Sequence, residues 1–94
     1  MAHKIDFKTF DGSYGVYTTP KECEIIISKL NDIGFLCDWD YGGRNSIFIL
    51  PEKKEYCVFI HSHDTLMADE FITPKQLNIY LDKLLKEGSD NQPK

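Results

Sequence analysis

The sequence lacks the features that mark secreted, membrane and disulfide-rich proteins. Its three cysteines, Cys23, Cys37 and Cys57, are odd in number, show no C-x-x-C spacing and lie inside apolar patterns, so we expect buried free thiols in a reducing compartment. No apolar run approaches the roughly 18 residues of a membrane span, and the N-terminus has no apolar core of a signal peptide. These absences predict a cytoplasmic protein that does not bind membranes.

Basic residues are too few for a typical nucleic-acid surface. Lysine and arginine number 11 against 15 acidic residues, which gives a net charge of −4 and an isoelectric point near 5.2. Proteins that bind nucleic acids gain much of their affinity by neutralising phosphates, and they usually show a basic stripe. The composition therefore argues against a nucleic-acid partner but leaves one open.

The remaining composition is that of one small folded domain. Hydrophobic residues make up 41% and aromatic residues 13% of the 94 positions, which argues against disorder. Only the C-terminal end is uniformly polar, and chain ends of this kind are often poorly ordered. We predict a single α+β domain over residues 1–88 and a disordered tail over residues 89–94.

Two segments begin with the same helix-capping pattern. Thr19–Glu22 and Thr73–Gln76 each place Thr at the N-cap, Pro at the first helical position and Glu or Gln two residues later, which is a capping box. Gly34 and Gly88 stand where each apolar periodicity ends, as C′ glycines do. The sequence predicts helices over about residues 20–33 and 74–87, each with one apolar stripe.

Period-two alternation predicts the strands between and before these helices. In Phe35–Tyr41, the odd-numbered residues share one face, and Leu36, Asp38 and Asp40 share the other. Gly42–Asn45 is predicted to be a hairpin turn. The predicted strands are Lys4–Thr9, a short Tyr14–Tyr17, Phe35–Tyr41, Ser46–Leu50 and Glu55–His61, with a further short element around Leu66–Phe71.

Short links between three successive strands predict an antiparallel meander. We therefore expect an α+β two-layer sandwich, in which this meander and an N-terminal strand or hairpin form the sheet and both helices lie on one face.

Two of the predicted strands are apolar on both faces, although two helices can cover only one face. We predict that the second face makes a contact centred on Phe48, Leu50 and Phe59, with Leu36 at its edge. The alternative is that the segments 4–10 and 14–17 fold over this face and make it a second core.

Few residues suggest chemistry. His61 and His63 are two positions apart beside Asp64, but a metal site needs three or four converging ligands. Asp38 and Asp40 on one strand face are more typical of a solvated surface than of a catalytic carboxyl pair. We predict no catalytic residue and no cofactor, and His61, His63 and Asp64 remain weak candidates for a metal.

The element order from Thr19 to Gly88 resembles a known fold. Helix, three strands and helix occur in this order in the double-stranded-RNA-binding domain, and in detail the chain is similar to the HicA-type toxins, small RNA-cleaving enzymes with that fold. The similar positions are Leu30–Phe35 at the first helix end, Gly43 in the turn, Ile47 and Phe48 before Pro51, a strand ending at His61, and Leu77, Leu81 and Leu84 in the last helix.

This resemblance implies a catalytic histidine two positions after the turn glycine. Asn45 occupies that position, and its amide cannot exchange a proton at neutral pH as imidazole does. We therefore expect no RNA cleavage by the HicA mechanism.

Taken together, the sequence favours a small acidic module without enzymatic activity that binds a protein partner or a second copy of itself. Such a module fits an inhibitor or accessory factor of phage or mobile-element type. The alternative is a divergent HicA-like domain that binds or cleaves RNA, and the third hypothesis is a metal or small-ligand binder that uses His61 and His63.

Overall fold

A computed structural model describes residues 5–60 and 67–91, with side chains described up to residue 87. The α+β class is confirmed. No helix among the described residues combines the length and apolar character needed to cross a bilayer. The elements in chain order are β1 (Tyr14–Tyr17), α1 (Pro20–Asp32), β2 (Leu36–Asp40), β3 (Ser46–Leu50), a 3₁₀ turn (Pro51–Lys53), β4 (Glu55–Phe59), β5 (Glu70–Phe71) and α2 (Pro74–Asn91).

Both helices begin with the predicted capping boxes. The Thr19 hydroxyl accepts from the Glu22 backbone N–H at 3.2 Å, and the Glu22 carboxylate accepts from the Thr19 N–H at 2.9 Å. Thr73 and Gln76 repeat the arrangement at 3.1 and 3.0 Å. Each box satisfies two backbone donors that a helix start leaves without partners.

We expect Thr19→Ala and Thr73→Ala each to lower the free energy of unfolding by about 1 kcal/mol, because each removes an N-cap acceptor. Urea denaturation measures the change. Ser28→Ala, at an exposed position inside α1, serves as a comparison that removes no cap. No loss of stability in either cap variant would contradict the contribution assigned to the boxes.

The two helix ends differ in how well they were predicted. Gly34 follows α1 with a φ of +98°, the left-handed backbone expected of a C′ glycine. The predicted end of the second helix at residue 87 is wrong, because α2 continues through Gly88 to Asn91. Glycine inside a helix costs about 1 kcal/mol relative to alanine, which weakens a helix without ending it.

The sheet is mixed, so the predicted antiparallel meander is only partly right. The strand order is β2-β4-β3-β1-β5. β3 is antiparallel to β4 and β1, whereas β2 is parallel to β4 and β5 is parallel to β1. β2 runs in the same direction as β1, and α1 is the long connection that such a parallel crossover needs. The chain therefore places β2 beyond β4 instead of beside β3.

The predicted N-terminal strand is also wrong for its described part. Residues 7–9 form a turn, in which the Asp6 carboxylate accepts from the backbone N–H groups of Lys8 and Thr9 at 2.9 and 3.2 Å. Side-chain hydrogen bonds of this kind compete with strand pairing. Phe7 and Phe10 pack against the main core.

The core lies between the helices and one face of the sheet, which we call the inner face. Both helices contribute their apolar stripes, and Lys29 of α1 forms an ion pair of 2.8 Å with Asp82 of α2. The buried residues of this cluster are Ile5, Tyr14, Val16, Cys23, Ile26, Leu30, Phe35, Ile47, Ile49, Tyr56, Val58, Ile72, Leu77 and Leu81. The helices thus cover the inner face and leave the opposite, outer face to other contacts.

Candidate functional site

The outer face carries the strand residues that alternate with the core positions. Register places Phe48 between Gly15 and Cys57. It also places Ser46 between Tyr17 and Phe59. Because paired residues of neighbouring strands point to the same side of a sheet, these side chains share the face away from the helices.

A β-bulge in β2 changes which of its residues belong to the outer face. Leu36 pairs with Glu55 and Trp39 pairs with Cys57, so β2 uses one residue more than β4 between these pairs. An extra residue reverses the alternation that follows it. The prediction that Leu36 and Trp39 lie on opposite faces is therefore wrong, and both lie on the outer face.

This bulge produces an exposed apolar surface at the edge of the sheet. Leu36, Trp39 and Tyr41 have exposed fractions of 72%, 58% and 52%, and we call these three residues the β2 surface. The Trp39 and Tyr41 ring centroids are 5.8 Å apart. Tyr41 stacks on Phe59 at 4.9 Å, and Phe59 is only 7% exposed. The buried Phe59 ring therefore packs against Tyr41 and supports the β2 surface.

The predicted contact residues differ in accessibility. Leu36 is exposed, Phe48 and Leu50 are half-buried, and Phe59 is buried outside the main core cluster. The accessible apolar side chains of the outer face lie at its edges and not at the centre that the sequence indicated. The β2 surface lies at one edge, and the stacked pair Tyr17 and Phe71, each 40% exposed, lies at the other. The pattern of alternation identified the face, but it carries no information on the exposure of each side chain.

The N-terminal segment does not supply the alternative cover for this face. Phe7 packs on the inner side, where its ring lies 5.2 Å from Phe35, 4.9 Å from Tyr80 and 5.7 Å from Tyr14. Tyr14–Tyr17 is a strand of the sheet itself. Neither segment forms the second core that was considered.

The connection from β2 to β3 is a crossing loop, so the predicted hairpin turn is wrong. β2 and β3 lie on opposite sides of β4, and residues 41–45 must pass the end of β4. Asn45 makes two contacts there: its backbone N–H donates to the Phe59 carbonyl at 3.3 Å, and its side-chain amide donates to the Ile60 carbonyl. The Asn45 side chain thus has a structural role in holding the loop.

The same loop holds an ion cluster on the helix side of β2. Arg44 contacts Asp40 and Glu24, each at 3.0 Å. The Gly42 N–H and the Arg44 guanidinium lower the pKa of Asp40. A carboxyl stabilised in its charged form, as that of Asp40 is, is unsuited to act as a general acid near neutral pH.

The three cysteines are free but unequal. Cys23 is buried as expected, Cys57 is half-buried, and Cys37 is exposed, contrary to the expectation. Burial, followed by the negative charge of Asp38, raises the pKa of Cys57 to about 11. The Cys57 thiol lies 3.8 Å from the Asp38 carboxylate and donates to it.

We expect Cys57 to react slowly with iodoacetamide, because a thiol with a pKa of about 11 is roughly one hundredth thiolate at pH 9. Asp38→Asn should lower this pKa and speed the reaction, since it removes the neighbouring negative charge. Mass spectrometry of the labelled peptides over pH 7–10 measures both rates. An unchanged Cys57 rate in Asp38→Asn would contradict the assigned interaction.

No metal centre is found among the described residues. No group of three or more histidine, cysteine, aspartate or glutamate side chains converges there. The candidates His61, His63 and Asp64 lie outside the described residues.

An apolar groove that the sequence did not indicate lies beside the start of β2, where Gly34 and Phe35 belong to its lining. It has a volume of about 960 Å³ and runs between the N-terminal segment, the end of α1 and α2, where Phe7, Ile33 and Leu84 line it. Its charged rim contains two lysines and two acids, Lys8, Lys54, Asp32 and Glu52. This balanced rim does not select a ligand of either charge.

Comparisons with protein-family models, with curated proteins and with solved structures give no match.

Proposed function

We propose that the protein is a small, acidic interaction module without enzymatic activity, and that it binds a protein partner through the β2 surface. The observation that carries this proposal is the joint exposure of Leu36, Trp39 and Tyr41 on one face at the edge of the sheet. Burying a large apolar side chain contributes roughly 1.5–3 kcal/mol. Three such side chains therefore contribute a substantial part of the free energy that association requires.

The residue types of the surface also favour a protein contact. Tryptophan and tyrosine are enriched among the residues that contribute most to protein interfaces, because they bury large areas at a small entropic cost. Other exposed apolar residues, such as Ile25 and Ile79, stand on the two helices. Single exposed apolar side chains are normal on soluble proteins, whereas a contiguous group supports a binding role.

The net charge and the free cysteines of the chain support the kind of partner and the compartment that we propose. The net charge of −4 favours a partner with a basic surface. Free cysteines fit the reducing conditions of the cytoplasm. An inhibitor or accessory factor of phage or mobile-element type is a role suited to a small acidic module of this kind.

The test compares capture of partners by three forms of the chain. Trp39→Ala and Leu36→Asp remove apolar contacts from the β2 surface, whereas Ile79→Asp changes a residue of α2 that is 63% exposed. We expect the first two variants to fold normally and to lose a specific protein captured from the native host, while Ile79→Asp retains it. Equal capture by all three variants would refute the proposed surface.

Parallel extracts with and without nuclease treatment address the RNA alternative that the HicA resemblance implies. That alternative has less support, because Asn45 is engaged with the Ile60 carbonyl and the chain is acidic. Loss of capture after nuclease treatment, or specific cleavage of added cellular RNA by the purified chain, would favour it. Sedimentation of the purified chain shows whether a second copy is the partner.

A further inference from the structure

We propose that the free edge of β2 receives an extended segment of the partner as an additional strand, and that this segment carries lysine or arginine together with apolar residues. This inference rests on the proposed function, since it names the chemistry of the partner that the β2 surface binds. It follows from the edge position of β2, from its exposure and from its charge.

The edge position makes backbone pairing available. β2 is the first strand in the sheet order and pairs with β4 alone among the described residues. Contacts from the Leu36 N–H to the Lys54 carbonyl and from the Tyr41 N–H to the Val58 carbonyl, each 2.9 Å, are made on the β4 side. All five residues of β2 are exposed. An unpaired edge is the site at which partner segments add to a sheet.

The negative charge of β2 favours a partner segment with basic side chains. β2 contains Asp38 and Asp40 and no basic residue. Asp40, Glu24 and Arg44 form one cluster, whose formal charges leave one negative charge in excess. Asp38 adds a second negative charge, and its carboxylate accepts a hydrogen bond from the weak donor Cys57. An added strand with basic side chains near these aspartates gains a favourable electrostatic interaction.

The same aspartates disfavour a second copy as the added strand. In an antiparallel pair of β2 strands centred on Asp38, that residue faces its own copy, and in a pair centred on Trp39, Asp38 faces Asp40. Only a shifted pair, such as one centred on Cys37, avoids these contacts. Like charges directly opposite each other destabilise a strand pair. The net charge of −4 on each chain adds a general repulsion. A basic segment of another protein avoids both the like-charge contacts and the repulsion between two acidic chains.

Trp39 is the single tryptophan of the chain, so its fluorescence reports on this edge directly. The probe is a short capped peptide of alternating lysine and valine, titrated into the full chain. Two control peptides are matched to it: one with glutamate in place of lysine, and one with every backbone nitrogen methylated, which removes the strand hydrogen-bond donors on both edges of the peptide but keeps the charge.

We expect a saturable shift of the Trp39 emission with the basic peptide below about 1 mM, and at least tenfold weaker binding of both control peptides. Asp38→Asn should weaken binding of the basic peptide about two- to fivefold. Asp11→Asn removes the same charge from the loop before β1 and should leave binding unchanged.

Three results would overturn the inference. These are no shift with the basic peptide, equal binding of the methylated peptide, or a Trp39 shift that follows self-association or added single-stranded RNA instead. If host-protein capture still depends on Trp39 while the basic peptide fails to bind, strand addition is wrong and the interaction module stands. If capture is also independent of Trp39, the proposed function itself fails.

Discussion

We expect Phe59→Asp to remove most of the protein's free energy of unfolding. The Phe59 side chain is 7% exposed and stacks on Tyr41 at 4.9 Å. Truncating a buried phenylalanine costs about 3–5 kcal/mol, and placing a carboxylate there adds the cost of burying a charge. Small domains are stable by only about 5–15 kcal/mol in total. The midpoint of thermal unfolding, followed by circular dichroism, should fall by at least about 15 °C.

The next residue in the chain provides the matched control. Ile60 is 53% exposed, so Ile60→Asp should change the midpoint by only a few degrees. Phe48→Asp, at a half-buried position of the same face, should lie between the two. A folded Phe59→Asp protein with an unchanged midpoint would mean that Phe59 is accessible in solution. The contact would then be centred where the sequence first indicated.

We therefore expect different residues of the outer face to determine the stability of the fold and the binding of a partner. Phe59 contributes to the fold and supports Tyr41, while Leu36, Trp39 and Tyr41 present the surface. Substitutions of Trp39 should affect partner capture far more than thermal stability. Substitutions of Phe59 should affect both, because the support is lost together with the fold.

Local chemistry explains what could be predicted from the sequence. The helix starts at Thr19 and Thr73 are correct, because a capping box depends on residues within one turn. The end of α1 at Gly34 is correct for the same reason. The alternation in β3 and β4 correctly placed Phe48, Leu50 and Phe59 on one face, since side-chain period depends only on the strand itself.

Non-local pairing explains what could not be predicted. The sequence between β2 and β3 is short and rich in glycine, which is typical of a hairpin, yet β2 pairs with β4. Nothing in the alternation of β2 shows which strand lies beside it. The bulge near Asp38 depends on that neighbour, and it decides that Leu36 and Trp39 share a face. The candidate surface therefore becomes visible only once strand order is known.

We expect Gly43→Ala to be among the most damaging small substitutions in the chain. A Cβ atom at Gly43 would lie 2.0 Å from the Ile60 Cα, 2.4 Å from the Ile60 nitrogen and 2.5 Å from the Phe59 carbonyl oxygen. These are backbone atoms of the β4 end, so no side chain can rotate to make room. The crossing loop would have to lift away and would lose the hydrogen bonds of Asn45 to β4. We expect a loss of about 2–4 kcal/mol in urea denaturation.

Gly42→Ala separates this steric effect from the conformational freedom of glycine. Gly42 has a φ of +89°, but no atom lies within 4 Å of the position of its Cβ. Alanine there costs only the strain of a left-handed backbone, about 1–2 kcal/mol. Gly43→Ala should therefore be the more destabilising of two neighbouring, chemically identical substitutions. If β2 and β3 formed a hairpin, Gly43 would not lie against the end of β4, and alanine there would meet no backbone atoms. A larger loss of stability in Gly42→Ala than in Gly43→Ala would therefore contradict the passage of this loop over β4.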